Sequence, residues 1–393
     1  MGILVSRQAR RGRLLGRLRQ FSGPYRFLRM VKKTAADGLV DTFRWLSPAW
    51  TRLGPPKSVF SEYQAVQQKL VPGGVILIEQ PTRPLVTSSL RAVAGMRQND
   101  HQPWPIFWSH RRHARLVTAS LALLDEQKRL CLEASFMEHS LDGEPGHRFL
   151  FLPAPTRLSG AWTSVISRWS PGFHHWFMDA LPRLAALRHF PANTRVIVPD
   201  PLLPYQAESL RLMGLSDRLR PTPEKHLVVE DYYFSSPTAM TGCWNPYAID
   251  FLRGALLSQG DSSWDSPRKF YIRRVGQARG VANEGAVLSF FEKRGWAIVE
   301  MEQLSVAKQI SLFQKAEAIC GLHGAAFTNL LWCQPGCQVL ELCAQNFLNG
   351  VYENIAEYLN LNYRYLICPA DAAFVAEVDL AKLAKQIDAG NEA

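Results

Sequence analysis

His175 and Asp179 stand four residues apart in the segment Phe173-His174-His175-Trp176-Phe177-Met178-Asp179-Ala180-Leu181-Pro182-Arg183. On a helix that spacing puts both side chains on one face. Their neighbours are strongly apolar, and polar groups on a buried helix either pair with each other or face a cleft. In a cleft the carboxylate can take the proton of a hydroxyl nucleophile while the imidazole tunes it. The alternative is an internal His–Asp hydrogen bond that only fixes the helix. Arg183 fits either a cleft cation or a snorkelling surface residue.

A second segment, Ile319-Cys320-Gly321-Leu322-His323-Gly324-Ala325-Ala326-Phe327-Thr328-Asn329-Leu330-Leu331, has the chemistry of a phosphate cradle. A strand is predicted to end at Cys320 and a helix to begin near Ala325. The start of a helix leaves backbone N–H groups unpaired and carries partial positive charge, so it attracts phosphate. Gly324 and Ala325 let a diphosphate approach the backbone. His323 can donate to a phosphate oxygen, and Thr328 and Asn329 add polar groups on the first turn. An ordinary βα turn with a structural histidine is the plainer reading. Arg273 and Arg274 close a third segment, Lys269-Phe270-Tyr271-Ile272, with Arg279, Asn283 and Glu284 downstream. Ligands of open α/β sheets bind at strand ends, and guanidinium groups match phosphate oxygens bidentately; a solvated basic loop is the alternative. Adjacent strand residues face opposite ways, so one of the two arginines is expected to matter more.

The elements that must position these groups follow from periodicity. Strands are predicted at 75–78, 195–199, 227–229 and 232–234, with helices at 173–190, interrupted by Pro182, and at 206–213. That alternation predicts a mostly parallel, doubly wound sheet. From 267 a compact run of βα units follows: strands at 269–272, 296–299, 316–320 and 338–342, helices at 283–294, 305–315 and 325–332. Gly295 reads as a helix stop and Ser305 as an N-cap. Residues 377–388 form a last amphipathic helix. The expected domains are a basic appendage at 1–55, an acceptor-side domain at 56–265, a nucleotide-binding domain at 266–370 and a C-terminal helix at 371–393.

Charge is concentrated at one end. Residues 1–33 hold ten of the 45 Lys and Arg and no Asp or Glu, so the rest of the chain is nearly neutral. A nucleic-acid-binding body would spread basic residues over its folded face, and no nucleic-acid partner is expected. The arm suits an anionic membrane surface, with a solvated tail as the alternative. An odd seven cysteines, mostly in apolar runs, point to reduced thiols in the cytoplasm, with the inner membrane face as a place the arm could hold the protein. No zinc-type spacing occurs, and no metal site is expected. No apolar run is long enough to span a bilayer. Walker, Gly-x-Gly-x-x-Gly, Gly-x-Ser-x-Gly and Asp-x-Asp patterns are all missing.

The three segments, in this order, resemble glycosyltransferase family 61, whose members read like H-W-x-x-D-x-L-P-R-L, then Y-I-S-R with a later N-E, then G-x-H-G-A-G-L-T-N-x-L leading to P-G-x-x-V-x-E-L. Here they stand as His175 to Leu184, Tyr271 to Arg274 with Asn283-Glu284, and Gly321 to Leu331 leading to Pro335-Gly336 and Glu341. Arg273 replaces Ser, Ala326 replaces Gly and Phe327 replaces Leu. The similarity spans roughly 150–368.

The resemblance implies a GT-B fold of two Rossmann-like halves and a metal-independent, inverting transfer from a nucleotide-sugar donor, most simply UDP-linked, to a saccharide or glycolipid acceptor in surface or capsular polysaccharide synthesis. It places Arg273, Arg274, His323, Gly324, Ala325, Thr328, Asn329 and Glu341 with the donor and Trp176 and Arg183 with the acceptor. Asp179 is the favoured base and His175 the other candidate. No cofactor is implied. A non-catalytic sugar- or nucleotide-binding protein, or a membrane-peripheral scaffold, is the rival reading.

Overall fold

A computed structural model describes residues 50–51, 58–60, 75–78, 106–118, 122–127, 129–131, 152–167, 169–238, 245–275 and 279–391. The basic arm of residues 1–33, its expected role at a membrane, and Cys243 lie outside them. Strands run in chain order as β1 (Trp50–Thr51), β2 (Ser58–Phe60), β3 (Val75–Ile78), β4 (Ile106–Val117), β5 (Ala122–Leu124), β6 (Arg129–Cys131), β7 (Leu152–Pro153), β8 (Thr156–Ser164), β9 (Arg195–Pro199), β10 (Leu219–Thr222), β11 (Leu227–Ser235), β12 (Lys269–Arg273), β13 (Ala297–Glu300), β14 (Ala318–Leu322), β15 (Gln338–Ala344) and β16 (Asn362–Cys368). The described residues fall into two compact units. One contains the antiparallel pair β1–β7. The other contains two larger sheets and every helix named below.

The first large sheet has the order β10-β9-β8-β11-β4-β5-β6-β2, with β3 paired to β4. It is mixed, where the strand–helix alternation predicts mostly parallel strands. Strands β8 to β11 pair in parallel, whereas β4, β5 and β6 pair antiparallel. The physical reason is connection length: a few residues between β4, β5 and β6 permit only antiparallel return, because a parallel return needs a crossover. The two strands expected at 227–229 and 232–234 are one strand, whose register against β8 shifts between Val229 and Asp231.

The second sheet has the order β13-β12-β14-β15-β16 and is parallel throughout. In order of appearance that is 2-1-3-4-5, so the winding reverses between β12 and β14, and ligands bind in the crevice at such a reversal. Strand β14 begins two residues later than the apolar run suggests, because its pairing with β12 starts at Ala318. The mixed α/β architecture, with this parallel sheet, is Rossmann-like.

Helices pack on both sheets: α1 (Phe173–His175), α2 (Pro204–Leu212), α3 (Pro246–Leu256), α4 (Glu284–Glu292), α5 (Val306–Gln314), α6 (Val351–Tyr358) and α7 (Leu380–Asn391). The helix expected over 173–190 changes type twice. After α1 comes a π turn, Trp176–Ala180, and then a 3₁₀ stretch, Leu181–His189. Pro182 lacks an N–H and crowds the preceding turn, so a regular α-helix cannot pass through it. Ser305 caps α5 by accepting from Lys308 N at 3.2 Å, and Gly295, at φ 72°, stops the turn after α4.

One apolar core joins the two sheets. It contains Trp176, Phe177, Leu210 and Ile249 together with Phe270, Phe313, Ile319, Phe327, Trp332 and Ile355. Four polar contacts reinforce it. Glu208 on α2 accepts from Val306 N and Ala307 N at 2.7 and 3.1 Å, capping α5 from outside. Arg253 on α3 donates to the carbonyls of Leu331 and Cys333. Tyr358 on α6 donates to the Asp250 carboxylate at 2.8 Å. His174 reaches Thr328, as described below. Among the described residues no helix is long and apolar enough to cross a membrane.

Candidate active site

A cleft of about 770 Å³ opens at the carboxyl ends of β12, β13 and β14, where the winding reverses. Ile272 to Arg274, Met301 to Val306 and Gly324 to Ala326 line one side of it, and Pro171, Phe173, Tyr205 and Glu208 the other. Its position follows from the strand order.

The turn after β14 is built around two close approaches. A Cβ on Gly324 would lie 2.5 Å from Arg274 Nη1, so only glycine lets the guanidinium rest against that backbone. Arg274 Nη1 donates to the His323 carbonyl at 2.5 Å. Beyond the turn, Ala325–Trp332 forms a 3₁₀ helix, not the α-helix that the pattern suggests. His323 and Glu341 meet because β14 and β15 run in register, Gly321 opposite Glu341. Nδ1 of His323 is 2.5 Å from Glu341 Oε1. A carboxylate only accepts, so Nδ1 carries the hydrogen. Glu341 is wholly buried and also accepts from the Tyr363 hydroxyl. Burial, with the Glu341 charge second, pushes the Tyr363 pKa up and keeps that hydroxyl a donor. Glu341 thus sits beneath His323 and fixes its ring.

Beyond Phe173, His175 Nδ1 lies 2.8 Å from Asp179 Oδ2. The side chains differ in access: His175 is 28% exposed and Asp179 5%. Asp179 belongs to the π turn, a distortion often found at functional sites. His174 is buried, and its Nδ1 is 2.9 Å from Thr328 Oγ1. This bond seats α1 on the 3₁₀ helix that follows Gly324. Burial first, then the charges of His175 and His323, lower the His174 pKa to about 3, so the ring is neutral. Ring contacts continue from His175 to His174, Tyr352, His323 and Phe347.

The remaining sequence-derived residues are placed as follows. Arg273 is held between Glu284 at 3.2 Å and Glu300 at 3.1 Å, and the hydrogen bond to Glu284 does most to raise its pKa. Trp176 is fully buried and donates to Ser209 Oγ at 2.9 Å. Arg183 is buried and donates twice to the Ser235 carbonyl; burial lowers its pKa to about 10. Asn329 lines the cleft but donates to Gln309 Oε1 and accepts from Trp332 Nε1. The structure therefore brings Arg274, Gly324 and Ala325 to the cleft, with His323 joined to Arg274 and Thr328 joined to His174, while His175 and Asp179 pair with each other and are not among the residues that line that cleft. It puts Trp176 and Arg183 in the interior and gives Arg273 two carboxylate partners. His174 and Tyr352 were missed by the sequence reading. His174 was legible in principle, as a polar group on the same apolar helix; Tyr352 carried no signal beyond its place on an unrecognised helix.

Residues 173–340 match the family model of glycosyltransferase 61, a span that contains all three sequence segments. This segment is similar to glycosyltransferase family 61. No curated protein matches the chain. The matched span starts at α1 and ends within β15, so it holds the His175–Asp179 pair, both strand-end arginines and the Gly324 turn. Glu341, Tyr352 and Tyr363, which support His323, lie beyond its end.

Proposed function

We propose that the protein transfers a sugar from a nucleotide-sugar donor to a saccharide or glycolipid acceptor, with inversion, between two halves arranged in the GT-B manner. The observation that carries this reading is the His174–Thr328 hydrogen bond, which sets the helix of the His175–Asp179 pair directly on the helix after the Gly324 turn. The donor lies in the cleft with its diphosphate against Arg274 and the Gly324–Ala326 backbone, whose N–H groups and partial positive charge suit phosphate. Inversion then needs one displacement. The acceptor oxygen bonds to the anomeric carbon, the bond to the diphosphate breaks, and the acceptor's proton passes to a protein base.

The difference in exposure supports His175 as that base. Asp179 accepts from Nδ1–H and leaves Nε2 of the more open ring to take the proton, the division of labour of a His–Asp pair. This assigns to His175 the role for which the sequence favoured Asp179. Residues 1–33, rich in arginine and free of acid, hold the enzyme on anionic lipid, in keeping with synthesis of a surface or capsular polysaccharide.

Donor hydrolysis and acceptor transfer by His175→Ala and Asp179→Asn test the chemistry. Donor binding should persist in both. Transfer should fall roughly 10²–10⁴-fold in His175→Ala and less in Asp179→Asn. Full activity in both variants would make the pair structural and remove the catalytic reading.

A further inference from the structure

Arg279 contributes nothing to the proposal above, yet its surroundings are those of an anion ligand. Its guanidinium carbon stands 4.3 Å from the centre of the Phe347 ring. That ring also contacts His323, at 5.4 Å between centroids. Its buried Nη1 has no hydrogen-bond partner. A buried N–H of a charged group without an acceptor is costly, and such orphans in native folds call for an explanation. Arg279 also lies close enough to Arg274 for its charge to be the largest influence, after burial, lowering the Arg274 pKa. Arg274 itself donates to a backbone carbonyl, not to a carboxylate. Two guanidinium groups are thus held near each other beside His323. Arg273, one residue from Arg274, has two carboxylates.

The backbone that carries Arg279 is fixed firmly. Ala376 N donates to the Gly280 carbonyl at 2.9 Å, and Ala282 N donates to the Ala376 carbonyl at 2.8 Å. Asn283 then holds Val378 from both sides, accepting from its N–H at 3.0 Å and donating to its carbonyl at 2.8 Å. Phe374, from the same segment, packs on Phe347 at 5.6 Å. Segment 374–378 therefore props both the arginine and the ring beneath it. Positioning of this quality is wasted on a solvated loop, where a long side chain would keep its rotamer freedom.

We propose that Arg279 is a second diphosphate ligand, closing with Arg274 a two-arginine clamp on the donor's leaving group. Its free Nη1 donates to a non-bridging phosphoryl oxygen, and the anion relieves the repulsion between the two guanidinium groups. When the sugar leaves, charge builds on that diphosphate, so the clamp also favours departure. The inference rests on the donor reading given above.

Calorimetric titration of the full chain with UDP, with GDP, dTDP and ADP as further probes, and with uridine as the phosphate-free control tests it. Arg279→Gln should weaken nucleoside diphosphate binding roughly 10- to 100-fold, the range for a charge-assisted contact. Arg279→Lys, which keeps the charge but loses the fork, should fall in between. Uridine affinity should hold within about two-fold, since it has no phosphate for the arginine to meet. Wild-type diphosphate affinity in Arg279→Gln, with wild-type unfolding temperature, would reduce Arg279 to a packing partner of Phe347 and overturn the clamp alone. An equal loss for UDP and uridine would also overturn it, as general damage to the cleft. Failure of the wild-type protein to bind any of the four diphosphates would remove the donor reading and the clamp together.

Discussion

His174 makes the fold's stability depend on pH in a way that can be worked out beforehand. The ring is buried, and its pKa falls from 6.5 to about 3. In the unfolded chain it titrates near 6.5. Below that pH the unfolded state binds a proton that the folded state refuses, so acid favours unfolding. The stability is complete above about 6.5, is lost as pH falls through that value, and stops falling below about 3. Linkage puts the loss between pH 7 and pH 5 at about 2 kcal/mol. That is a large share of the roughly 5–15 kcal/mol that holds a domain together. The assay is urea unfolding of wild type and His174→Asn at both pH values. Asparagine keeps a polar atom near the position of Nδ1, so the contact to Thr328 can be re-formed, but it does not titrate. The wild type should lose about 2 kcal/mol more than the variant on acidification. Equal losses would mean that His174 is charged in the fold or reached by water, and that the link between α1 and the 3₁₀ helix is not a neutral hydrogen bond.

Gly324→Ala should displace the Arg274 guanidinium, which a new Cβ would meet at 2.5 Å; donor affinity measured by titration should drop about 10-fold or more, for loss of a charge-assisted contact, while the unfolding temperature holds. Glu341→Leu should destabilise the fold by roughly 1–3 kcal/mol in denaturant titration, because His323 Nδ1 and the Tyr363 hydroxyl lose their buried acceptor. Phe327→Ala should cost about 3–5 kcal/mol by the same measurement, since its ring is fully buried in the core that joins the sheets. Removing residues 1–33 should lower co-sedimentation with anionic vesicles and leave transfer to a soluble acceptor unchanged, each basic residue contributing about 1 kcal/mol at such a surface.

The parallel sheet from β12 to β15 was legible because its strands are short apolar runs separated by helices with ordinary signals, such as Ser305 before α5 and Gly295 after α4. The Gly324 turn was legible for the same reason, and with it the meeting of Arg274 and His323 at neighbouring strand ends. Helix α3 was missed although Asn245 followed by Pro246 is a good start signal; the side chain of Asn245 does accept from Tyr247 N at 2.8 Å. Strand β16 and helix α6 were missed because polar residues interrupt their apolar patterns: Asn362, Tyr363 and Arg364 open the strand, and Glu353 and Asn354 sit inside the helix. What spacing alone could not supply was depth. Both His175 and Asp179 lie on one face, but which of them is reachable depends on how the π turn settles against the core. Likewise Arg273 and Arg274 look alike in sequence, and only the positions of Glu284 and Glu300 separate them.

The four polar contacts between the elements of the two sheets have a consequence for how substrates get in. A jaw that swung wide would have to uncap α5 from Glu208, pull Arg253 off two carbonyls, part Tyr358 from Asp250 and break His174 from Thr328 at one stroke. These latches are spread over α1, α2 and α3, with two of them on α3, so an opening rotation has to strain several at once. The mouth is therefore better described as a fixed slot, entered end-on, than as a trap that shuts on its contents. If the cleft takes a nucleotide sugar as proposed, the molecular envelope seen by small-angle scattering should barely change on binding. On that reading, selectivity between donors comes from the fit of the slot's walls, with little left for closure to decide.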